Sequence, residues 1–197
     1  MKAVLMSIQP KWCELIASRK KTVEVRKTKP KLETPFKVYI YQTLKPVSVM
    51  FHGTGGHISE YDKTLCYNKR SGKVIGEFVC DEIYDITPHF DTPTFPNQYI
   101  CGWEYGKEFD CLPFEELTSY LNGKKGYGYH ISELVIYDEP KELSEFRRPC
   151  NHHSGDCFTC DRFDYIGVGC SADITRPPQS WCYVKDHPTE KGGEADA

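Results

Sequence analysis

No run among the 197 residues approaches the roughly 20 consecutive apolar side chains that a membrane-spanning helix needs. The stretch from Met1 to Met6 carries one Lys and too few apolar residues for a signal peptide, so a cytoplasmic location is expected. A strong net charge is also missing. At a formal −3 the chain is not a generic polycation for nucleic acid. There is no internal repeat and no regular alternation of strand and helix patterns, which excludes solenoids and argues against a parallel α/β sheet. What remains, 39% hydrophobic and 27% charged, suits one well-buried soluble domain with a small appendage.

Charge is unevenly placed. Seven Lys or Arg against one Glu lie between Arg19 and Lys31, while the tail from Lys185 to Ala197 carries four acids and two bases. A basic patch on a mildly acidic body can hold phosphates; it also reads as a solvated basic face. Cysteine is uneven too. Cys13, Cys66, Cys80, Cys101, Cys111 and Cys182 are scattered, and several sit in strand or helix patterns as small apolar residues. Cys150, Cys157, Cys160 and Cys170 crowd into one hydrophilic segment. Cys157 and Cys160 form a C-x-x-C knuckle whose thiolates can meet one tetrahedral metal, and Cys150 and Cys170 would close a structural zinc site. His152 or His153 could replace one of them, and free thiols or a redox pair are the other readings.

Periodicity places the elements. Pro10 followed by Trp12, Leu15 and Ile16 predicts a helix over about 10–18. Alternation predicts a strand over 22–27, with Val23 and Val25 on one face and Thr22, Glu24 and Arg26 on the other. Phe36 to Tyr41 reads as a strand with Val38 and Ile40 opposite Tyr39 and Tyr41. Residues 42–72 read as a long irregular excursion flanking a cleft; His52-Gly53-Thr54-Gly55-Gly56-His57 within it matches neither a phosphate-loop nor a metal template. Lys73 to Glu82 is a strand, 84–111 is loop-like, and Phe114, Leu117, Tyr120 and Leu121 after Pro113 mark a helix ending before Gly123. Tyr129 to Tyr137 and Trp181 to Val184 complete the strands, and the last dozen residues read as disordered.

The row Lys21, Thr22, Glu24 and Arg26 is the strongest candidate site. Lys and Arg can grip an anion while the carboxylate accepts hydrogen bonds from a base edge or amide. An ordinary amphipathic strand with a surface ion pair is the other reading.

Ser7-Ile8-Gln9-Pro10 and Lys21-Thr22-Val23-Glu24-Val25-Arg26 together resemble the N-terminal signature of ASCH domains, in the PUA-like superfamily. The resemblance continues in family order at Gly72-Lys73-Val74-Ile75-Gly76-Glu77-Phe78, at Gly126-Tyr127-Gly128-Tyr129-His130-Ile131-Ser132 and at Arg176-Pro177-Pro178-Gln179-Ser180-Trp181-Cys182-Tyr183-Val184, spanning about 4–184. It looks most like the phage and prophage branch. One departure is Arg19, where the family usually has Gly at the helix exit.

The resemblance implies an α+β fold: a PUA-like small β-barrel from 1–148 and 174–185, a Cys-rich zinc loop inserted at 149–173, and a tail at 186–197. It implies a cleft that binds RNA or a modified nucleobase or nucleoside. Lys21, Thr22, Glu24 and Arg26 would line one wall, at least partly accessible. Tyr129, His130 and Ser132 would supply another, and Gln179, Ser180 and Trp181 an amide and a stacking ring. Trp181 also reads as a core anchor, His130 as a satisfied strand histidine, and Arg176 as a turn residue.

One ASCH subfamily hydrolyses the acetyl amide of N4-acetylcytidine with a Lys and, three residues on, a Thr nucleophile. Lys21 matches that Lys, but Glu24 stands in the Thr position and Thr22 lies one residue after the Lys, so the Thr mechanism does not transfer. Other members are linked to RNA cleavage. An amidohydrolase- or ribonuclease-like enzyme would draw on Lys21, Glu24 and His130 as acid–base groups. A phage-encoded adaptor meeting a host protein through its zinc loop is the third expectation.

Overall fold

In a computed structural model of the chain, the residues described are 2–44, 70–89, 98–101, 114–149 and 174–186. They hold nine strands and two α-helices in the order β1 (Lys2–Ile8), α1 (Pro10–Ala17), β2 (Val23–Arg26), β3 (Phe36–Gln42), β4 (Val74–Cys80), β5 (Ile83–His89), β6 (Gln98–Cys101), α2 (Phe114–Leu121), β7 (Gly126–His130), β8 (Ser132–Lys141) and β9 (Trp181–Lys185). A 3₁₀ turn covers Leu143–Glu145. The α+β expectation stands.

The strands make two sheets, ordered β8-β4-β3-β1-β9 and β2-β7-β5-β6. Only β1 and β3 run parallel; the other pairs are antiparallel. The β4–β5 and β7–β8 segments each pass from one sheet into the other. At the first crossing Asp81 and Glu82 intervene, at the second Ile131, and the His130 N–H donates to the Glu82 carbonyl there.

The expected closed barrel is not what these residues form. Two sheets meet along the β4–β5 and β7–β8 corners, and on the opposite side they are joined by side chains instead of a strand ladder. There the Arg26 guanidinium of β2 donates to the Ser7 carbonyl of β1, and the Trp181 indole of β9 donates to Thr28 Oγ1. That seam is where the cavity described below opens.

Burial follows the strand pattern. In β1 and β3 both faces are buried, because each strand carries apolar residues on both. Val4, Met6, Ile8, Val38 and Ile40 enter the core between the sheets, with Ile16 and Cys13 of α1 and Tyr129 of β7. Leu5, Tyr39 and Tyr41 enter a second cluster, capped by Phe146 and Ile174. The alternation expected for β3 is therefore observed, with both of its faces apolar in use.

On β2, Val23 and Val25 face Tyr84, Ile86, Leu117 and Leu121, so α2 covers the outer side of the smaller sheet. Gly126 of β7 permits that approach, and Gly128 makes room for Val23 beneath it. A Cβ at Gly126 would lie 2.6 Å from a Leu121 methyl, and one at Gly128 would lie 2.9 Å from Val23 Cγ1.

Several differences from the sequence reading have plain causes. β1 lies within a stretch too short and too apolar to alternate, and its neighbours on both sides bury it. β5 and β6 arise within a segment read as loop; their pairing with β7 and with each other is long-range. Cys13 and Cys80 are buried, as a small apolar role requires, and burial pushes the Cys80 thiol up to about 12. Residues 45–69, the cysteine segment from Cys150 to Cys170, Cys66 and Cys111, and the tail beyond Asp186 lie outside the described residues.

The exit of α1 is a full left-handed cap. The Arg19 N–H donates to the Ile16 carbonyl and the Lys20 N–H to the Leu15 carbonyl, with Arg19 at φ 58°. A side chain there costs roughly 1 kcal/mol relative to Gly. The return is one exposed 3.5 Å contact from the guanidinium to the Leu134 carbonyl. Arg19→Gly is therefore expected to stabilise the protein by about 1 kcal/mol. A shift of the denaturation midpoint at unchanged slope would measure it; no gain would mean the Leu134 contact outweighs the strain.

Candidate functional site

The cap just described sets the first functional side chain. The Lys21 N–H also donates to the Leu15 carbonyl, so the chain turns back under α1 and aims the lysine inward. Lys21 Nζ sits 2.5 Å from the Val23 carbonyl and 3.1 Å from Glu24 Oε2. Its charge also lies 5.5 Å from the Trp12 ring centre. Alternation on β2 then places Glu24 and Arg26 on the face opposite Val23 and Val25. Arg26 Nη2 lies 2.9 Å from Glu24 Oε1 and 2.7 Å from the Ser7 carbonyl.

One carboxylate thus holds two cations, one on each oxygen. All three side chains are 10% exposed or less. Partial accessibility was expected, and the structure corrects it: the charges pair with one another at the floor of a cavity instead of standing on a strand edge. Arg26 Nε is buried and has no hydrogen-bond partner among the described residues.

Ser7 assembles the opposite wall. Its carbonyl takes Arg26, its N–H donates to the Ser180 carbonyl at 2.9 Å, and its hydroxyl donates to the Pro178 carbonyl at 2.6 Å. Residues 177–180 are thereby clamped against β1, with Gln179 and Ser180 facing the cavity. The space enclosed is about 630 Å³, within the range of small-molecule sites. Trp12 from α1 and Tyr120 from α2 add aromatic walls. Tyr120 is 37% exposed, and its burial raises the phenol above its ordinary value. At the mouth Lys11 reaches both oxygens of Glu116 at 2.9 Å, joining the two helices. The lining carries three cationic and two anionic side chains, a net of +1. That balance suits a neutral polar or singly charged ligand.

The expected site residues therefore divide. Lys21, Glu24, Arg26, Gln179 and Ser180 converge on one cavity. Thr22 is exposed beside it, with its carbonyl accepting from the Ile131 N–H. Tyr129 is fully buried and its hydroxyl donates to the Thr28 carbonyl. Ser132 donates to the Val79 carbonyl at 2.8 Å. Trp181 packs against the core edge-on to Tyr183, with its indole N–H on Thr28.

His130 lies at the corner between the sheets, 2.7 Å from Asp81. Burial there works to raise the Asp81 carboxyl, but the His130 hydrogen bond and its own backbone N–H outweigh it and hold it below its ordinary value. Such a carboxylate contributes stability above its unfolded pKa and loses it as pH falls. None of these five borders the cavity, because strand alternation and the corner aim them elsewhere.

The sequence reading missed Trp12, Tyr120, Ser7 as a clamp, and the Lys11–Glu116 pair. Trp12 and Tyr120 stood in the helix patterns as apolar positions, which conceals that each helix sets one ring at the cavity. The cysteines expected to bind zinc fall outside the described residues, and among the described residues no cluster of three or more metal-ligating side chains occurs.

These observations define a two-sheet α+β domain with an ion-floored, aromatic-walled cavity at the seam between its sheets. Solved structures similar to this chain include those of an ASCH protein from Zymomonas mobilis, the family whose motifs the sequence resembles. The unaltered protein is 20% identical over 93% of this chain and 87% of that one, with a TM-score of 0.46. Two point-substituted forms are each 18% identical, with TM-scores of 0.46 and 0.44 and coverage of 94% and 93% of this chain and 91% and 88% of theirs. At these values the likeness bears on neither the site nor its chemistry. No family model and no curated protein matches the chain. No helix among the described residues is long and apolar enough to cross a membrane.

The ion triad makes a sharp energetic distinction. Lys21→Ala leaves Glu24 buried with one cation and is expected to cost about 3 kcal/mol of stability. Lys11→Ala breaks an exposed pair and is expected to cost under about 1 kcal/mol. Equilibrium denaturation of the two variants checks this; equal losses would mean that Lys21 is effectively solvated.

Proposed function

We propose that the cavity binds a nucleobase or nucleoside, free or within RNA. The observation that carries this is the pairing of a buried carboxylate and a donor-bearing guanidinium at the floor of an open, aromatic-walled cavity. A base edge offers adjacent donors and acceptors, which Glu24 and the Gln179 amide complement. Trp12 and Tyr120 offer faces for stacking, worth about 1–3 kcal/mol per base. The net charge of +1 favours a nucleoside or monophosphate over a polyphosphate. The resemblance to ASCH domains points the same way.

Titration with the ribonucleosides and their monophosphates, followed by NMR of the Trp12 indole and by calorimetry, tests the reading. Binding of at least one, weakened roughly tenfold or more by Gln179→Ala or Trp12→Ala, is expected. No binding by any of them overturns it.

A second reading is hydrolysis at the same floor, with Glu24 as general base on water and Lys21 holding the developing oxyanion. Its support is that the two groups lie 3.1 Å apart beside the cavity. Thr22 and His130 lend it nothing, since neither borders the cavity. Glu24→Gln keeps shape and an acceptor oxygen while removing the base. An enzyme would lose turnover by roughly 10²–10⁴-fold and still bind, whereas a binding module has no turnover to lose.

We also propose that Cys150, Cys157, Cys160 and Cys170 hold a structural zinc ion in an insert at 149–173. Phe146 and Ile174, which flank that insert, are buried in one cluster, so its two ends are held together. A hydrophilic loop closed in this way gains its folding energy from a metal. Metal analysis is expected to give close to one zinc per chain, lost in Cys157→Ser with Cys160→Ser. Disulfides among these cysteines in freshly reduced protein would refute it.

A further inference from the structure

Beside the cavity lies a set of lysines and tyrosines that the site has no use for. Arg26 on β2, Tyr127 on β7 and Asp85 on β5 are direct cross-strand neighbours, so they form one row running out from the cavity floor. Lys29 and Lys125 stand over the Tyr127 ring at 5.0 and 5.3 Å from its centre. Both also reach Asp85, at 3.8 and 3.1 Å, with about half of each side chain exposed. Lys27, exposed, stands over the Tyr120 ring at 4.9 Å, and Tyr120 is itself a wall of the cavity. Lys29 and Lys125 thus share one carboxylate, and with Lys27 the three lysines leave a local excess of +2. Their ammonium groups are held in place by two ring faces instead of wandering in solvent.

We propose that this row is a phosphate track, and that the cavity's ligand is one residue of a single-stranded nucleic acid whose neighbouring phosphates lie on Lys27, Lys29 and Lys125. The proposal rests on the nucleobase reading of the cavity. The track's geometry adds three features. It is contiguous with the cavity through Arg26 and Tyr120. Its lysines are preorganised by stacking on rings, which lowers the entropy lost on binding. Asp85 holds two of them through exposed pairs worth little, so a phosphate can displace it at small cost. An isolated nucleoside would leave all of this unused.

The experiment compares a short oligouridylate with uridine monophosphate on the full chain, across a range of salt. The oligomer is expected to bind more tightly, with a logarithmic salt slope of about −2 for three phosphate contacts on a single strand. Replacing Lys27, Lys29 and Lys125 together with Gln should weaken the oligomer roughly tenfold and flatten that slope, with mononucleotide affinity unchanged. If the triple variant melts early, the single variants serve, each expected to lower the slope by about 0.7. Mononucleotide binding without tighter, salt-dependent oligomer binding overturns the track and leaves the cavity reading standing. Polyglutamate competing as well as the oligomer also overturns it, because the row would then be a generic cationic patch. Binding of neither nucleotide probe overturns both.

Discussion

Glu24 is the residue on which the rest of the site depends. Its carboxylate is nearly buried, which is costly unless cations are at hand. Lys21 and Arg26 provide them, one to each oxygen, and Arg26 also binds the Ser7 carbonyl. This set of contacts ties the edge of the small sheet to β1 of the large one. It therefore stands where a strand ladder would otherwise have closed a barrel. The same atoms join the sheets and floor the cavity: a ladder would have filled the seam with backbone, whereas an ionic bridge leaves room beside it.

The surroundings support that arrangement from three sides. The left-handed cap at Arg19 turns the chain so that Lys21 points inward. Ser7 uses its hydroxyl and N–H to hold Pro178 and Ser180 against β1, and its carbonyl to take Arg26. Gly126 lets α2 settle on the outer side of β2 and β7, which sets Tyr120 at the cavity. On the proposed reading, ligand contact falls to groups with spare capacity: the second lone pairs of Glu24, the Gln179 amide and two ring faces. The lysines along the Arg26–Tyr127–Asp85 row extend that chemistry outward from a neutral-to-cationic pocket to a cationic surface.

The residues at the floor were legible because strand alternation is strict. With Val23 and Val25 committed to a core, Glu24 and Arg26 had to share the other face, and Lys21 stood beside them. Alternation also settled β3, whose Val38 and Tyr39 faces enter different clusters. Helix signals at Pro10 and Gly123 were equally local, whereas the left-handed turn at Arg19 was signalled only by the family's usual Gly there. By contrast, the Tyr129, His130, Ser132 wall could not be checked by alternation. Its orientation is set by the corner at Ile131, where one strand leaves a sheet and another begins. Tyr129 turns into the core and His130 toward Asp81 as a result.

By itself, then, the sequence determined what local backbone geometry determines: the α+β class, two helices with their ends, the faces of β2 and β3, and the chemical identity of the cavity floor. Tertiary structure alone decided that β1 lies inside the large sheet between β3 and β9, that Ile83–His89 and Gln98–Cys101 pair as strands, and that the sheets meet by side chains at one seam. It also decided that the triad is buried and that Trp12, Tyr120 and Ser7 belong to the site. The physical reason is range. Periodicity and capping act over a few residues, but burial depends on which distant surfaces meet. Ser7 and Pro178 are joined across almost the whole chain by a hydrogen bond that no local pattern encodes.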